Sequence, residues 1–254
     1  MDGRYGRDNN EPNERELDPR DRYPESRSLS GRGGQADSRH TPSGLSPWRG
    51  VWMHPRLVTR DFIYSARPLR GALLLALIAS MFGALNTAST RNWGDDMSLP
   101  MLVLSVMVTG LISGLVTYYV VSWLFKLVGG WLGGVGSSKD MRIVVGRISG
   151  MLGIMIGLLW IPELLIAGRE NFTFETPNLD ASTLRSLLYM GVLLLEFAFG
   201  FWAFVLILHA TGEAHAFSAW RALLMYFILG VLLLLVLVAV VLVVALVSGT
   251  ALGM

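Results

Sequence analysis

The sequence contains no cysteine. That excludes disulfide frameworks, thiolate metal sites and cysteine nucleophiles. Lysine is nearly absent too: Lys126 and Lys139 are the two lysines among 21 basic residues. Charge in general is scarce, at 16% of residues, where a soluble domain carries about a quarter. The formal net charge of +2 is too small to argue for a nucleic-acid partner. There is no Ser/His/Asp arrangement and no HExxH. The glycine loop Gly129–Gly136 is not followed by GK[ST] and so is no phosphate loop. No catalytic residue, cofactor or metal is therefore expected.

What is present is unevenly placed. Most charges precede Gly71, and almost continuous apolar sequence follows, which implies a polar tail joined to an integral membrane domain. Residues 1–47 hold eight Arg against nine Asp plus Glu and almost no large aliphatic side chains. Such a segment buries too little apolar surface to offset chain entropy, and it reads as a disordered cytoplasmic tail. Residues 48–68 change character. Trp48 and Trp52 lie close together, and from Pro55 helical spacing puts Arg56, Arg60, Tyr64 and Arg67 on one side, with Leu57, Val58, Phe62 and Ala66 on another. An amphipathic helix with aromatic anchors and arginines, just before a span, is expected to lie in the headgroup plane, where anionic lipid would strengthen its hold.

Residues 69–254 form the membrane domain, with five apolar runs at about 69–88, 99–126, 144–167, 187–210 and 222–247. Each is long enough to span, and backbone self-satisfaction in lipid makes them helices. The expected fold is all-α, a five-transmembrane-helix polytopic bundle with a disordered N-terminal tail and a juxtamembrane interfacial helix. Trp93, Trp123, Trp131, Trp160 and Trp220 fall near proposed helix ends, as interfacial anchors do. With the N-terminus inside, the inner side carries ten basic residues and the outer side has Arg91, Arg169 and Arg185. The positive-inside rule then gives a cytoplasmic N-terminus and an outside C-terminus. The sequon Asn171-Phe172-Thr173 would face outward.

Small residues mark the packing faces. Gly146, Gly150, Gly153 and Gly157 form one stripe on the third run, and Gly110 and Gly114 form another on the second. Close backbone approach is how membrane helices associate, and packing within the bundle is favoured over a dimer face. Glu196, in the middle of the fourth run, is a candidate intramembrane polar site, because a carboxylate there is expensive and often functional. Glu163 is the second candidate. Pro162 before it should bend the helix, and its place near the outer end suggests an interfacial residue at a different depth from Glu196, not an acid/base pair with it. His209, Glu213 and His215 could be read as metal ligands, but they sit where loop residues are expected and no further ligand cluster supports them. The loop 129–136 reads as a flexible turn.

Several segments together carry a resemblance: Trp52-Met53-His54-Pro55, Ala66-Arg67-Pro68, Gly129-Gly130, Pro162-Glu163-Leu164-Leu165, Phe201-Trp202-Ala203-Phe204, and Glu213-Ala214-His215-Ala216-Phe217-Ser218. In order and spacing, over about 48–235, the chain resembles the Yip-domain family of multi-pass membrane proteins. The resemblance implies a non-enzymatic protein with five spans and a cytosolic N-terminus. Eukaryotic members bind small GTPases in vesicle traffic, so a small GTPase partner is implied only for a eukaryotic chain. This tail lacks the acidic-leucine-proline motif typical of those members. The Arg-rich, Lys-poor, Cys-free composition suits a bacterial-type member, placed in the inner membrane. The leading expectation is a scaffold or accessory subunit in membrane organisation, working with the lipid bilayer, other membrane proteins or itself. The alternative is a small transporter, channel or lipid-moving protein using Glu196. An intramembrane enzyme ranks last.

Overall fold

Helix breakers and small residues set the architecture. The computed structural model describes residues 41–252, and side chains as far as Leu246. The expected disordered tail lies, for residues 1–40, outside the described residues. Residues 41–46 have no regular secondary structure, and the Ser43 backbone N–H is tied to Asp61 at 3.2 Å. Two short helices follow, α1 (Pro47–Met53) and α2 (Pro55–Ile63), each with proline in its first turn, where a missing N–H is harmless. The single interfacial helix expected over 48–68 is thus a broken pair, interrupted at His54 because the residue before proline is steered out of the α-region.

Five helical segments are long and apolar enough to cross a membrane, Ala72–Thr90, Leu99–Trp131, Ser138–Ile166, Thr183–Ala214 and Ala219–Leu246. The first is α3 (Ala72–Thr90), followed by a one-turn helix α4 (Trp93–Asp96). The second joins α5 (Leu99–Val116) to α6 (Ser122–Trp131) through a π-helical turn at Thr117–Val121. The third opens with α7 (Ser138–Ile143), whose Ser137 and Asp140 cap each other's backbone at 3.2 and 2.9 Å. A second π-helical turn, Val144–Ser149, leads into α8 (Gly150–Gly157). After a break at Leu158–Leu159 comes α9 (Trp160–Ile166). Pro162 falls in the first turn of α9. The bend it requires is placed four residues earlier, where the Ile161 N–H turns to the Leu158 carbonyl at 3.1 Å. After the short α10 (Pro177–Asp180) the fourth and fifth spans are unbroken, α11 (Thr183–Ala214) and α12 (Ala219–Leu252).

The first span is the bundle's axis. A Cβ added at Gly146, Gly150, Gly153 or Gly157 would meet Ala72, Leu75, Ala79 or Phe82 in turn, at 2.3–3.0 Å. Gly110 and Gly114, from the other flank, would meet Met81 and Leu77 at 2.9 Å. Both small-residue stripes therefore close on α3, within one chain, and the alanines Ala72, Ala76, Ala84 and Ala88 of α3 are buried between them. The side carrying α1 and α2 is called the near side below; the loops 91–98 and 167–182 lie on the far side.

Candidate functional site

The near-side glycine loop is a socket, and its occupant belongs to the chain. Cβ atoms at Gly129, Gly134 and Gly136 would stand 2.3, 2.5 and 2.8 Å from the imidazole of His215. The ring lies 5.0 Å from Phe217 and parallel to it. The Gly136 N–H donates to Nδ1 at 3.3 Å, so the proton sits on Nε2, which donates to the Phe125 carbonyl at 3.2 Å. Burial lowers the His215 pKa, against smaller opposing effects of the Phe125 bond and Asp140. The flexible turn expected at 129–136 is corrected accordingly: glycine is needed there for close approach to an imidazole, and the Val135 N–H is further fixed to the His215 carbonyl at 3.2 Å. His215 is thereby held apart from His209 and Glu213. Among the described residues no three His, Asp or Glu side chains gather as a metal-ligand set.

The residues expected to touch lipid divide into two groups. Trp52 turns inward, donating from Nε1 to the Met155 sulfur at 3.1 Å and meeting Phe199 edge-on at 5.8 Å. Arg60 donates to Glu213 at 2.7 Å, and Arg56 lies 3.6 Å from the same carboxylate and 3.4 Å from Nδ1 of His209. Trp52, Arg56 and Arg60, expected at the lipid interface, thus also have partners within the chain, and the side chains of Arg56 and Arg60 stay 39% and 48% exposed. Trp48, Met53, Leu57 and Arg67 remain exposed. Val51 and Val58 on the opposite face are buried in the main core. Arg147 closes the attachment, its guanidinium over the Phe62 ring at 4.4 Å and bonded to the carbonyls of Arg67 and Arg70.

The second cluster lies in the far-side part of the spans. Glu163 on α9 is 2% exposed, and α9 packs on α11 so that Glu163 and Glu196 are electrostatic neighbours. Asn86 of α3 donates to Glu196 at 3.4 Å. Tyr189, two turns before Glu196, is within electrostatic reach of both carboxyls. The two glutamates, expected at different depths, lie near each other: Glu163 is buried one turn before the end of α9, and the break at Leu158–Leu159 leans α9 on α11. Three buried polar groups in this region lack hydrogen-bond partners: Glu163 Oε1, Trp160 Nε1 and both amide atoms of Asn171. Trp160, expected as an interfacial anchor, is 2% exposed and stacks on Phe172 at 5.7 Å. Asn171 of the sequon is 4% exposed, so its amide is not presented outward. A recess of about 220 Å³ opens beside the pair, lined by Phe82, Asn86, Gly153, Ile156, Trp160 and Glu196 among others.

Neither glycine loop nor carboxyl pair supplies a nucleophile with an adjacent base. The fold and both clusters define a multi-span helical membrane protein with an attached N-terminal helix pair. The chain belongs to the Yip1 domain family, whose sequence model matches residues 49–241. That family is linked to membrane trafficking and is generally non-enzymatic. No curated protein and no solved structure matches the chain. Sequence reasoning missed the His215 socket and the burial of Glu163. The signal for the first was the crowding of glycine at 129–136, which is more than a turn requires.

Proposed function

We propose that the chain is a membrane-organising scaffold or accessory subunit, which grips the lipid surface through α1–α2 and offers its bundle to another membrane protein. The supporting observation is the two-faced attachment of α1–α2. One face is buried with Val51 and Val58 and held by Arg56 and Arg60 on Glu213, while Trp48, Met53 and Leu57 are exposed on the other. A helix pair fixed to the spans transmits any pull from the surface directly to the bundle. Arg49, Arg67 and Arg70 are exposed beside it and give anionic headgroups a place to bind. This reading puts the N-terminus on the cytoplasmic side, in a bacterial-type inner membrane, with another membrane protein or a second copy as partner.

The absence of native cysteine makes the test clean. A single cysteine at Trp48 or Met53 should react with a lipid-soluble maleimide in anionic vesicles, and more slowly when Arg49, Arg67 and Arg70 are changed together to Gln. A cysteine at Leu237 should cross-link in the native membrane to a defined membrane protein. If the Met53 position reacts only with water-soluble reagent, and Leu237 joins to nothing, the scaffold reading fails.

A second reading, a small transporter or lipid-moving protein, is favoured by one observation: Glu196 lines a recess within the spans together with Asn86, which donates to it at 3.4 Å. Flux in proteoliposomes that is lost on Glu196→Gln would support it.

A further inference from the structure

We propose that the recess between the start of α2 and the near-side part of α11 holds one anionic phospholipid, its phosphate bound by Arg56 and His209 and an acyl chain laid along Trp202. This deepens the lipid-grip reading of α1–α2 and rests on it, but it places a single bound molecule at residues other than the surface arginines Arg49, Arg67 and Arg70.

The recess has a volume of about 300 Å³. His54, Arg56 and Leu57 line it from the α2 side, and Trp202, Val205 and His209 from the α11 side. No carboxylate is among the residues that border it. Its lining is therefore cationic at one end and apolar at the other.

The charge beside it does not balance. Among the described residues, Arg56 and Arg60 share a single carboxylate, that of Glu213. Arg60 takes it at 2.6 Å, while Arg56 stands off at 3.6 Å. The other contacts of Arg56 are neutral acceptors at the limit of hydrogen bonding, Nδ1 of His209 at 3.4 Å and the Phe217 carbonyl at 3.5 Å. Gly212 admits the guanidinium to this place, since a Cβ there would stand 3.2 Å from its nitrogen. One positive charge with five N–H donors is thus fixed at the recess without a short bond to an anion.

His209 adds a second donor. Its Nδ1 accepts from Arg56, so the ring proton sits on Nε2, which bonds to nothing among the described residues. A guanidinium matches the geometry of phosphate oxygens, and its bonds to them are charge-assisted. The imidazole N–H serves a further oxygen of the same group.

The apolar end says what the phosphate is attached to. Trp202, Val205 and His209 share one face of α11 by helical spacing. Trp202 lies two turns, roughly 10 Å, from His209 toward the middle of the span. Trp202 and Leu57 are exposed where they border the recess, so it opens onto the lipid-facing flank of the bundle. A soluble phosphate would use the polar end alone, whereas a phospholipid fills both. A headgroup of net negative charge fits better than a zwitterionic one, because it brings no ammonium to stand against Arg56 and Arg60.

The test is native mass spectrometry of the full chain in detergent, titrated with phosphatidylglycerol or with phosphatidylcholine of the same acyl chains. One phosphatidylglycerol per chain should be retained at concentrations where phosphatidylcholine is not. Arg56→Gln should weaken that binding about tenfold, as loss of one charge-assisted hydrogen bond does. Glu213→Gln loosens the same joint between α2 and α11 but frees Arg56, so it should bind phosphatidylglycerol at least as tightly as the native chain. A merely structural role for Arg56 would make both variants lose the lipid together. Trp202→Ala should weaken the long-chain lipid more than its dihexanoyl form. Glycerol phosphate should not displace the lipid at equal concentration; if it does, the ligand is a soluble phosphate and the lipid assignment falls. Equal retention of the two lipids, no loss in Arg56→Gln, or parallel loss in Arg56→Gln and Glu213→Gln would overturn the site. Changing Arg49, Arg67 and Arg70 together to Gln should leave the bound lipid in place while slowing the maleimide reaction at Met53, so the surface grip and the site can fail separately.

Discussion

The third and fifth spans are both apolar enough to cross a membrane and have opposite fates. Span three has the lower mean hydropathy, 1.9 against 3.6, yet 56% of its most apolar window is buried in the bundle, against 6% for span five. In water the order would be reversed, since burial follows apolar area. In a bilayer the lipid tails are as apolar as leucine, so apolarity alone gives a helix no reason to leave them. The difference lies in side-chain size. Span three offers glycine at every turn of the face it turns to α3, and close backbone contact follows. From Leu233 on, span five is leucine, valine and alanine as far as Leu246, and those leucines and valines are exposed.

The sharpest break of that comparison is one substitution made in both places. Gly150→Leu puts a Cβ 2.9 Å from the Leu75 Cβ and 3.0 Å from its carbonyl carbon. Backbone cannot rotate away, so α3 and α8 must part. The expected loss is about 3 kcal/mol, the upper part of the usual range for overpacking, measured by unfolding in mixed micelles. Gly230→Leu on span five meets nothing within 4 Å, and its expected effect stays within about 0.5 kcal/mol. Equal losses at the two sites would show that size is not what orders the bundle.

The socket at His215 sharpens the comparison by moving the glycine argument outside the spans. Gly129→Ala sets a methyl group 2.3 Å from the imidazole. The ring must leave or the loop must open, at an expected cost of about 2 kcal/mol. The same site gives a pH dependence whose sign is fixed by burial. His215 has a lower pKa folded than unfolded, so below the ordinary value near 6.5 the unfolded chain binds more protons. Stability contributed by the neutral ring is full above about pH 6.5 and lost as pH falls through that value toward the folded pKa. The thermal midpoint should decline on acidification below about pH 6.5 in the native chain. His215→Gln should start lower and lack that component. An identical acid profile in both would remove His215 as the cause.

These cases show what could be read in advance. The five spans and both glycine stripes were legible, because length, apolarity and helical spacing are local properties and the stripes needed only a helix to display them. The partners of those stripes were not, since nothing in Gly146 or Gly150 names α3. The socket was hidden for the same reason: His215 is 79 residues from Gly136. The burial of Glu163 was not legible, because Pro162 shows that a bend is required but not that α9 would lean on α11. The partner of Arg56 and Arg60 was not legible either, since Glu213 lies 153 residues away from Arg60.

The smallest expected effect concerns the joint between α2 and α11, where neither size nor apolarity is the glue. The Arg60 side chain is 48% exposed and that of Glu213 13%, at 2.6 Å. Solvent screens such a pair, and a double-mutant cycle of Arg60→Ala with Glu213→Ala should give a coupling of roughly 0.5–1 kcal/mol. Global stability should barely move, because the spans do not depend on it. The local consequence should be larger. With the clamp gone, α1–α2 keeps its apolar contacts, among them Val51, Val58, Trp52 and Phe62, but loses its charged tie, so amide exchange over 47–63 should quicken while α3 and α8 stay protected. Were α3 to exchange faster as well, the charged joint would be part of the bundle's own packing, and glycine contact would not suffice to hold the first and third spans together.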